Sequence, residues 1–149
     1  MNECPKRPIV YLTKAITFSA AHRLHSHKLD DKTNQLIFGK CNHINGHGHN
    51  YKAEICLKGP IDKDTGMLIN LVLLKKIIEE VIATLDHRYI DKDCEYFLTN
   101  QKVSTVENIA IFIFNSIKSK LPNQDLLYSV KVHETDSNLV EYRGEYLQD

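Results

Sequence analysis

The segment Cys41-Asn-His-Ile-Asn-Gly-His-Gly-His49 sets a thiol six residues before the first histidine of a His-Gly-His pair. Alternate side chains of an extended strand share a face, so His47 and His49 can both turn toward one ion. Gly48 between them lets backbone or a ligand come close. A metal ion acts as a Lewis acid and a thiolate takes a proton, a pairing that suits catalysis.

A catalytic zinc usually takes three protein ligands and keeps one position open. Of eight histidines, five fall from His22 to His47. His22, His25 and His27 are all candidates for the third ligand, and His25-Ser26-His27 is itself a His-x-His pair. Cys41 has three readings: a base or nucleophile, a fourth ligand that closes the site, or an inert thiol. Its polar, glycine-flanked setting, Gly39-Lys40-Cys41-Asn42, disfavours a core position.

Asp86-His87 forms a further pair. A carboxylate that orients a histidine can activate a nucleophile, although the same dipeptide also suits the end of a helix dipole. Glu107 is most simply a helix-capping residue. Glu134 ends a strand in Val132-His133-Glu134-Thr135-Asp136, where a carboxylate can accept two parallel hydrogen bonds from an amino-pyrimidine edge.

The elements that must hold these groups fit one domain over residues 1–149, with a short polar extension over 1–8. Lys plus Arg and Asp plus Glu both total 19, which gives no general nucleic-acid or membrane surface. Cys4, Cys41, Cys56 and Cys94 are widely spaced, so neither a disulfide framework nor a four-cysteine zinc knuckle is expected. Free thiols suit a reducing, cytoplasmic compartment. Met1 to Pro8 is polar and proline-broken, with no secretory core. The longest apolar run, Ile109 to Phe114, is too short to span a bilayer.

Ile9 to Ser19 and Asn50 to Lys58 read as strands, with a histidine-rich loop and short helix over Ala20 to Lys40. Asn70 is the expected N-cap of a helix whose apolar stripe runs from Leu71 through Leu74, Ile78 and Ile82 to Leu85. Asp86 to Asn100 reads as a polar connection. Ser104-Thr-Val-Glu107 has the form of a capping box opening a helix to about Leu121. Tyr128 to Val132 and Leu139 to Tyr146 read as strands. The class is α+β: a four-stranded antiparallel sheet with two helices on one face. Its open edges favour oligomers.

The whole pattern resembles the 6-pyruvoyl-tetrahydropterin synthases of animal type. The resemblance rests on Phe18-Ser-Ala-Ala-His-Arg-Leu24, Phe38-Gly-Lys-Cys-Asn42, Asn45-Gly-His-Gly-His-Asn-Tyr51, Gly66-Met67, Leu85-Asp-His87, Ser104-Thr-Val-Glu-Asn108 and Glu134-Thr-Asp136, and covers about Val10 to Glu145. It implies zinc on His22, His47 and His49, with Cys41 as general base and Asp86 and His87 completing its relay. Glu134, helped by Thr105, would anchor a pterin ring. It implies the tunnelling fold, with trimers forming a twelve-stranded barrel and two trimers stacking as a homohexamer whose active sites lie between subunits. The reaction implied turns 7,8-dihydroneopterin triphosphate into 6-pyruvoyl-tetrahydropterin with loss of triphosphate, a step of tetrahydrobiopterin synthesis. Arg23 and Lys40 are the candidate contacts to the triphosphate.

Bacterial relatives that make 6-carboxytetrahydropterin usually carry three residues between the cysteine and the His-Gly-His; here five intervene. That carboxy-pterin activity and a non-catalytic zinc- or pterin-binding module remain the alternatives. Val106 stands where the animal enzymes often have threonine, which removes a hydroxyl but leaves a backbone contact available.

Overall fold

A computed structural model describes residues 5–149. Cys4 and the first half of the polar extension expected over Met1–Pro8 lie outside the described residues. Two long strands, β1 (Ile9–His22) and β2 (His47–Pro60), form an antiparallel ribbon of 14 residue pairs, from Ile9 opposite Pro60 to His22 opposite His47. Both run further toward the histidines than the apolar pattern indicated. His22 ends β1, where a loop was expected, because cross-strand pairing carries the extended backbone past the last apolar residues.

Between them lie α1 (Asp31–Phe38) and a 3-10 turn over Gly39–Asn42. Asp30 caps α1 by accepting the Thr33 N–H at 2.7 Å. Helix α2 (Leu71–Ile82) starts at Asn70, as expected, and ends three residues before Leu85. Helix α5 (Val106–Lys120) starts one residue later than the capping box predicts. Thr105, not Ser104, is its N-cap and accepts the Asn108 N–H at 3.3 Å. Ser104 is instead fully buried, with its carbonyl committed to a histidine described below.

Strands β4 (Leu127–His133) and β5 (Leu139–Tyr142) complete the antiparallel part of the sheet; β5 stops four residues before Tyr146. The polar stretch 86–100 is structured. It holds β3 (Arg88–Tyr89), α3 (Ile90–Asp93) and α4 (Glu95–Asn100). The sheet therefore has five strands rather than four, in the order β3-β1-β2-β4-β5. It is mixed rather than antiparallel, because β3 pairs with Ala20 and Ala21 in parallel. A two-residue strand has no periodicity to read; only the nearby edge of β1 makes it a strand.

The two long helices cover one face, as expected. Leu74, Ile78 and Ile82 of α2 and Ile109, Ile113 and Ile117 of α5 pack on Tyr51, Ile55 and Leu57 of β2 and Val130 and Val132 of β4. Burying each aliphatic side chain contributes about 1.5–3 kcal/mol. The other face is polar, with Thr13, Lys52, Glu54, Lys131 and Glu141 along its strands. On it Glu54 accepts a 2.7 Å hydrogen bond from His133 across the β2–β4 pair.

Candidate metal centre and its surroundings

The ribbon register assembles the histidines. Residues opposite one another in an antiparallel pair share a face. His22 lies opposite His47, and His49 lies opposite Ala20 on the same helix-covered side. One nitrogen from each of His22, His47 and His49 falls within 4.8 Å of the others. His25 and His27 stay outside this cluster and pack on each other, with ring centroids 5.5 Å apart. Cys41 is also outside it.

His22 is fully buried, and its Nδ1 lies 2.6 Å from the Ser104 carbonyl oxygen. Only a protonated Nδ1 can donate there, and in the neutral ring that tautomer leaves the Nε2 lone pair free. That Nε2 is 3.0 Å from His47 Nε2. Nitrogens bound tetrahedrally to zinc at about 2.0–2.1 Å stand about 3.3 Å apart, so the pair needs little adjustment to share an ion. His47 Nδ1 and His49 Nε2 are buried without a hydrogen-bond partner in the chain. Burial, reinforced by the neighbouring imidazoles, holds both rings below the usual histidine range, in the neutral state that ligates metals. Three convergent imidazole nitrogens fit a metal ion.

Two neighbours restrict this cluster. Tyr51, two residues beyond His49 on the same face, is fully buried, stacks on Phe18 at 4.9 Å and brings its hydroxyl within 3.4 Å of both His22 nitrogens. Burial first, then the Glu134 charge, pushes its hydroxyl far above the usual tyrosine range, so it stays protonated. Gly46 precedes His47 with φ +71°, and a Cβ there would lie 2.5 Å from the Tyr89 hydroxyl and 2.9 Å from the His22 carbonyl. No other residue fits that approach. Gly48 is less demanding, since a Cβ would meet only the Ala20 carbonyl at 3.4 Å.

Glu134 follows β4 and leans over the cluster, 3.9 Å from His22 Nε2 and 4.0 Å from His49 Nε2. Its backbone N–H donates to the Asn138 carbonyl at 3.0 Å, which ties the turn into β5. Thr105 spends its hydroxyl on the α5 cap, immediately after the carbonyl that holds His22.

Cys41 lies half-buried in the 3-10 turn, and its carbonyl accepts the Leu24 N–H at 2.9 Å. The buried Asn42 amide donates to the Leu24 carbonyl at 2.7 Å, and Arg23 Nε donates to the Asn42 carbonyl at 2.8 Å. These bonds stitch the thiol-bearing turn to the residues that follow His22.

Asp86 and His87 are not members of the histidine cluster. Asp86 Oδ1 accepts the Ser19 N–H at 2.9 Å, and Oδ2 is 3.0 Å from His87 Nδ1. The Ser19 bond first, and His87 with it, hold the carboxyl below the usual aspartate range. His87 has φ +58°, and its backbone N–H donates to the Ser19 carbonyl at 2.7 Å. A left-handed histidine is uncommon and has a small steric cost. Its side chain is 83% exposed. It lines a cavity of about 490 Å³ with Ser19, Gly48 and Asn50, and His49 of the histidine cluster borders the same cavity. Within the chain, the side-chain hydrogen bonds of this pair run to Ser19 of β1 and to one another, not to Cys41.

Sequence reasoning missed Tyr51, Asn42, Tyr89 and the Ser104 carbonyl. For Tyr51 the signal was present, as the next inward position of the alternation through His47 and His49. A backbone carbonyl carries no sequence signal.

The family model described as 6-pyruvoyl tetrahydropterin synthase matches residues 11–145. The chain is 51% identical over 142 residues to a 6-pyruvoyl tetrahydrobiopterin synthase of Drosophila melanogaster, covering 95% of this chain and 83% of that protein. It is 50% identical over 135 residues to the Homo sapiens protein of the same name, covering 90% and 91%. The structure of Caenorhabditis elegans 6-pyruvoyl tetrahydropterin synthase superposes with a TM-score of 0.91 at 47% identity, over 95% of this chain and 100% of that one. With this likeness along nearly its whole length, the chain belongs to the 6-pyruvoyl tetrahydropterin synthase family of enzymes.

Proposed function

We propose that the chain converts 7,8-dihydroneopterin triphosphate into 6-pyruvoyl-tetrahydropterin with elimination of triphosphate, and that His22, His47 and His49 hold a zinc ion for that reaction. The observation that supports this most is the convergence of the His22, His47 and His49 imidazoles beside the Glu134 carboxylate. Zinc bound there supplies Lewis acidity that makes C–H bonds beside the substrate's side-chain oxygens easier to ionise.

The protein's own groups do the rest. Glu134 accepts two hydrogen bonds from the amino-pyrimidine edge and fixes the ring against the histidines. Thr105 supports the same end of the pocket through the start of α5. Cys41, kept out of the ligand cluster, takes and returns protons, worth about 10²–10⁴-fold in rate. Asp86 holds the His87 ring by its Nδ1 and so directs the opposite nitrogen outward.

Because His87 is exposed and has no hydrogen bond to Cys41 in its own chain, the relay is completed by a second copy. The sheet supports that assembly. β3 covers only Ala20 and Ala21 of the outer edge of β1, leaving Ile9–Phe18 paired on one side. Unpaired edges are a template for another chain. Three copies, each contributing β1, β2, β4 and β5, would close a twelve-stranded barrel, and two such trimers a homohexamer. The polar face opposite the helices would then line its interior.

The decisive measurement is the metal content and turnover of Cys41→Ala. A variant that retains zinc and loses turnover supports a free thiol base. A zinc-free variant would put the sulfur in the coordination sphere and overturn the assignment.

A further inference from the structure

His47 opens β2 directly after a tight turn, in which the Gly46 N–H donates to the His43 carbonyl at 2.9 Å. Gly46 has φ +71°, a conformation open to glycine at no steric cost. The same freedom gives the turn little stiffness of its own. A ligand side chain must be held within about half an ångström of its working place, so a group outside the turn has to fix it.

That group is Tyr89. The place a Cβ would take on Gly46 lies 2.5 Å from the Tyr89 Oη and 2.9 Å from its Cζ, with the His22 carbonyl oxygen also at 2.9 Å. The phenol and that carbonyl therefore press on the same flank of the glycine. We propose that Tyr89 is a positioning residue for the metal centre: its phenol braces the Gly46 turn and so sets His47 against His22. The proposal rests on the reading of His22, His47 and His49 as a zinc site.

Tyr89 is itself held in place. It ends β3, whose two residues pair in parallel with Ala20 and Ala21, next to His22. Its backbone N–H donates to Asp93 Oδ2 at 2.8 Å, and Lys92 Nζ stands 4.7 Å from the centre of its half-buried ring. A strand of two residues adds little to the sheet. Its consequence is to carry a phenol from the end of β1 that holds His22 to the turn that holds His47. The bare Cα of Gly46 and the reach of Tyr89 are complementary, since a side chain on the first would displace the second.

The test titrates the metal-free full chain with zinc against a competing chelator and follows hydrogen exchange at the Gly46 amide. Groups that orient a metal ligand typically change affinity by about 10–100-fold. Tyr89→Ala should bind zinc about tenfold more weakly and exchange the Gly46 N–H about tenfold faster. Tyr89→Phe keeps the ring and should stay within about threefold of the wild type in both. Gly46→Ala should cost about tenfold less affinity in the Tyr89→Ala background than alone, because its methyl group then meets one neighbour fewer. Equal zinc affinity in Tyr89→Ala and the wild type overturns the brace, even if the unfolding temperature falls. Equal losses from Gly46→Ala in the two backgrounds overturn it too. A wild-type chain that takes up no zinc sinks the zinc reading instead, and the brace then stands or falls on the Gly46 exchange rates.

Discussion

The chain holds two histidine sites in opposite conditions. His22, His47 and His49 are inward-facing, set by strand register and anchored by a backbone carbonyl. His87 is exposed, left-handed in backbone and held only from its inner side by Asp86 and Ser19. The first site has every group it needs to grip an ion within one chain. The second has an orienting carboxylate and nothing to act on. A buried cluster settles its own geometry through packing, whereas an exposed strained residue keeps its conformation only through the bonds to Asp86 and Ser19.

The contrast is sharpest in His47→Ala. This variant should lose its zinc and about 10³-fold in turnover, since several kcal/mol of Lewis-acid stabilisation disappear. Metal analysis and rate together would check it, and full metal retention would show that the cluster is not the site. Cys41→Ala should cost about 10²–10⁴-fold in rate at unchanged zinc content.

Asp86→Asn should lower turnover about 10- to 100-fold without loss of zinc or of assembly, as measured by kinetics and sedimentation. Unchanged turnover would reduce Asp86-His87 to a helix-end feature. Mixing probes the partner directly. Cys41→Ala and His87→Ala chains, each inactive alone, should recover about a quarter of wild-type activity when co-assembled at equal ratio, because only sites taking one intact group from each chain work. No recovery would place the relay within one chain.

The smallest effect concerns the open sheet face. The His133 hydrogen bond holds Glu54 below its usual value of 4.5. A carboxyl with a depressed folded pKa stabilises the fold above its unfolded value and loses that as pH falls below about 4.5. Glu54→Gln should therefore lower stability at neutral pH by about 0.2–1 kcal/mol, with the difference vanishing toward pH 3 in denaturant titrations. A difference that persisted in acid would show that the pair contributes through packing.

Much of this was legible in the residues. The α2 stripe from Leu74 to Ile82 and the alternation of β4 follow directly from side-chain periodicity, because burial selects apolar residues at the period of the element, whereas Leu71, also read into the stripe, is exposed at the helix start. The His-Gly-His alternation predicted two histidines on one face, and the strand sets both there. What escaped was short or backbone-borne. Arg88–Tyr89 has too few residues for a period, and the shift of the α5 cap from Ser104 to Thr105 depends on His22 claiming the Ser104 carbonyl.

Taken alone, the residue order determined which groups are available: three imidazoles, a thiol, two carboxylates and a run of apolar faces able to support them. Tertiary structure decided among them. Only the 14-pair ribbon sets His22 rather than His25 or His27 opposite His47, and only the path of the chain after α2 ties Asp86 and His87 to Ser19. The physical reason is range. Periodicity and capping act over a few neighbouring residues, whereas a metal site needs nitrogen positions good to a fraction of an ångström from strands 25 residues apart in the chain.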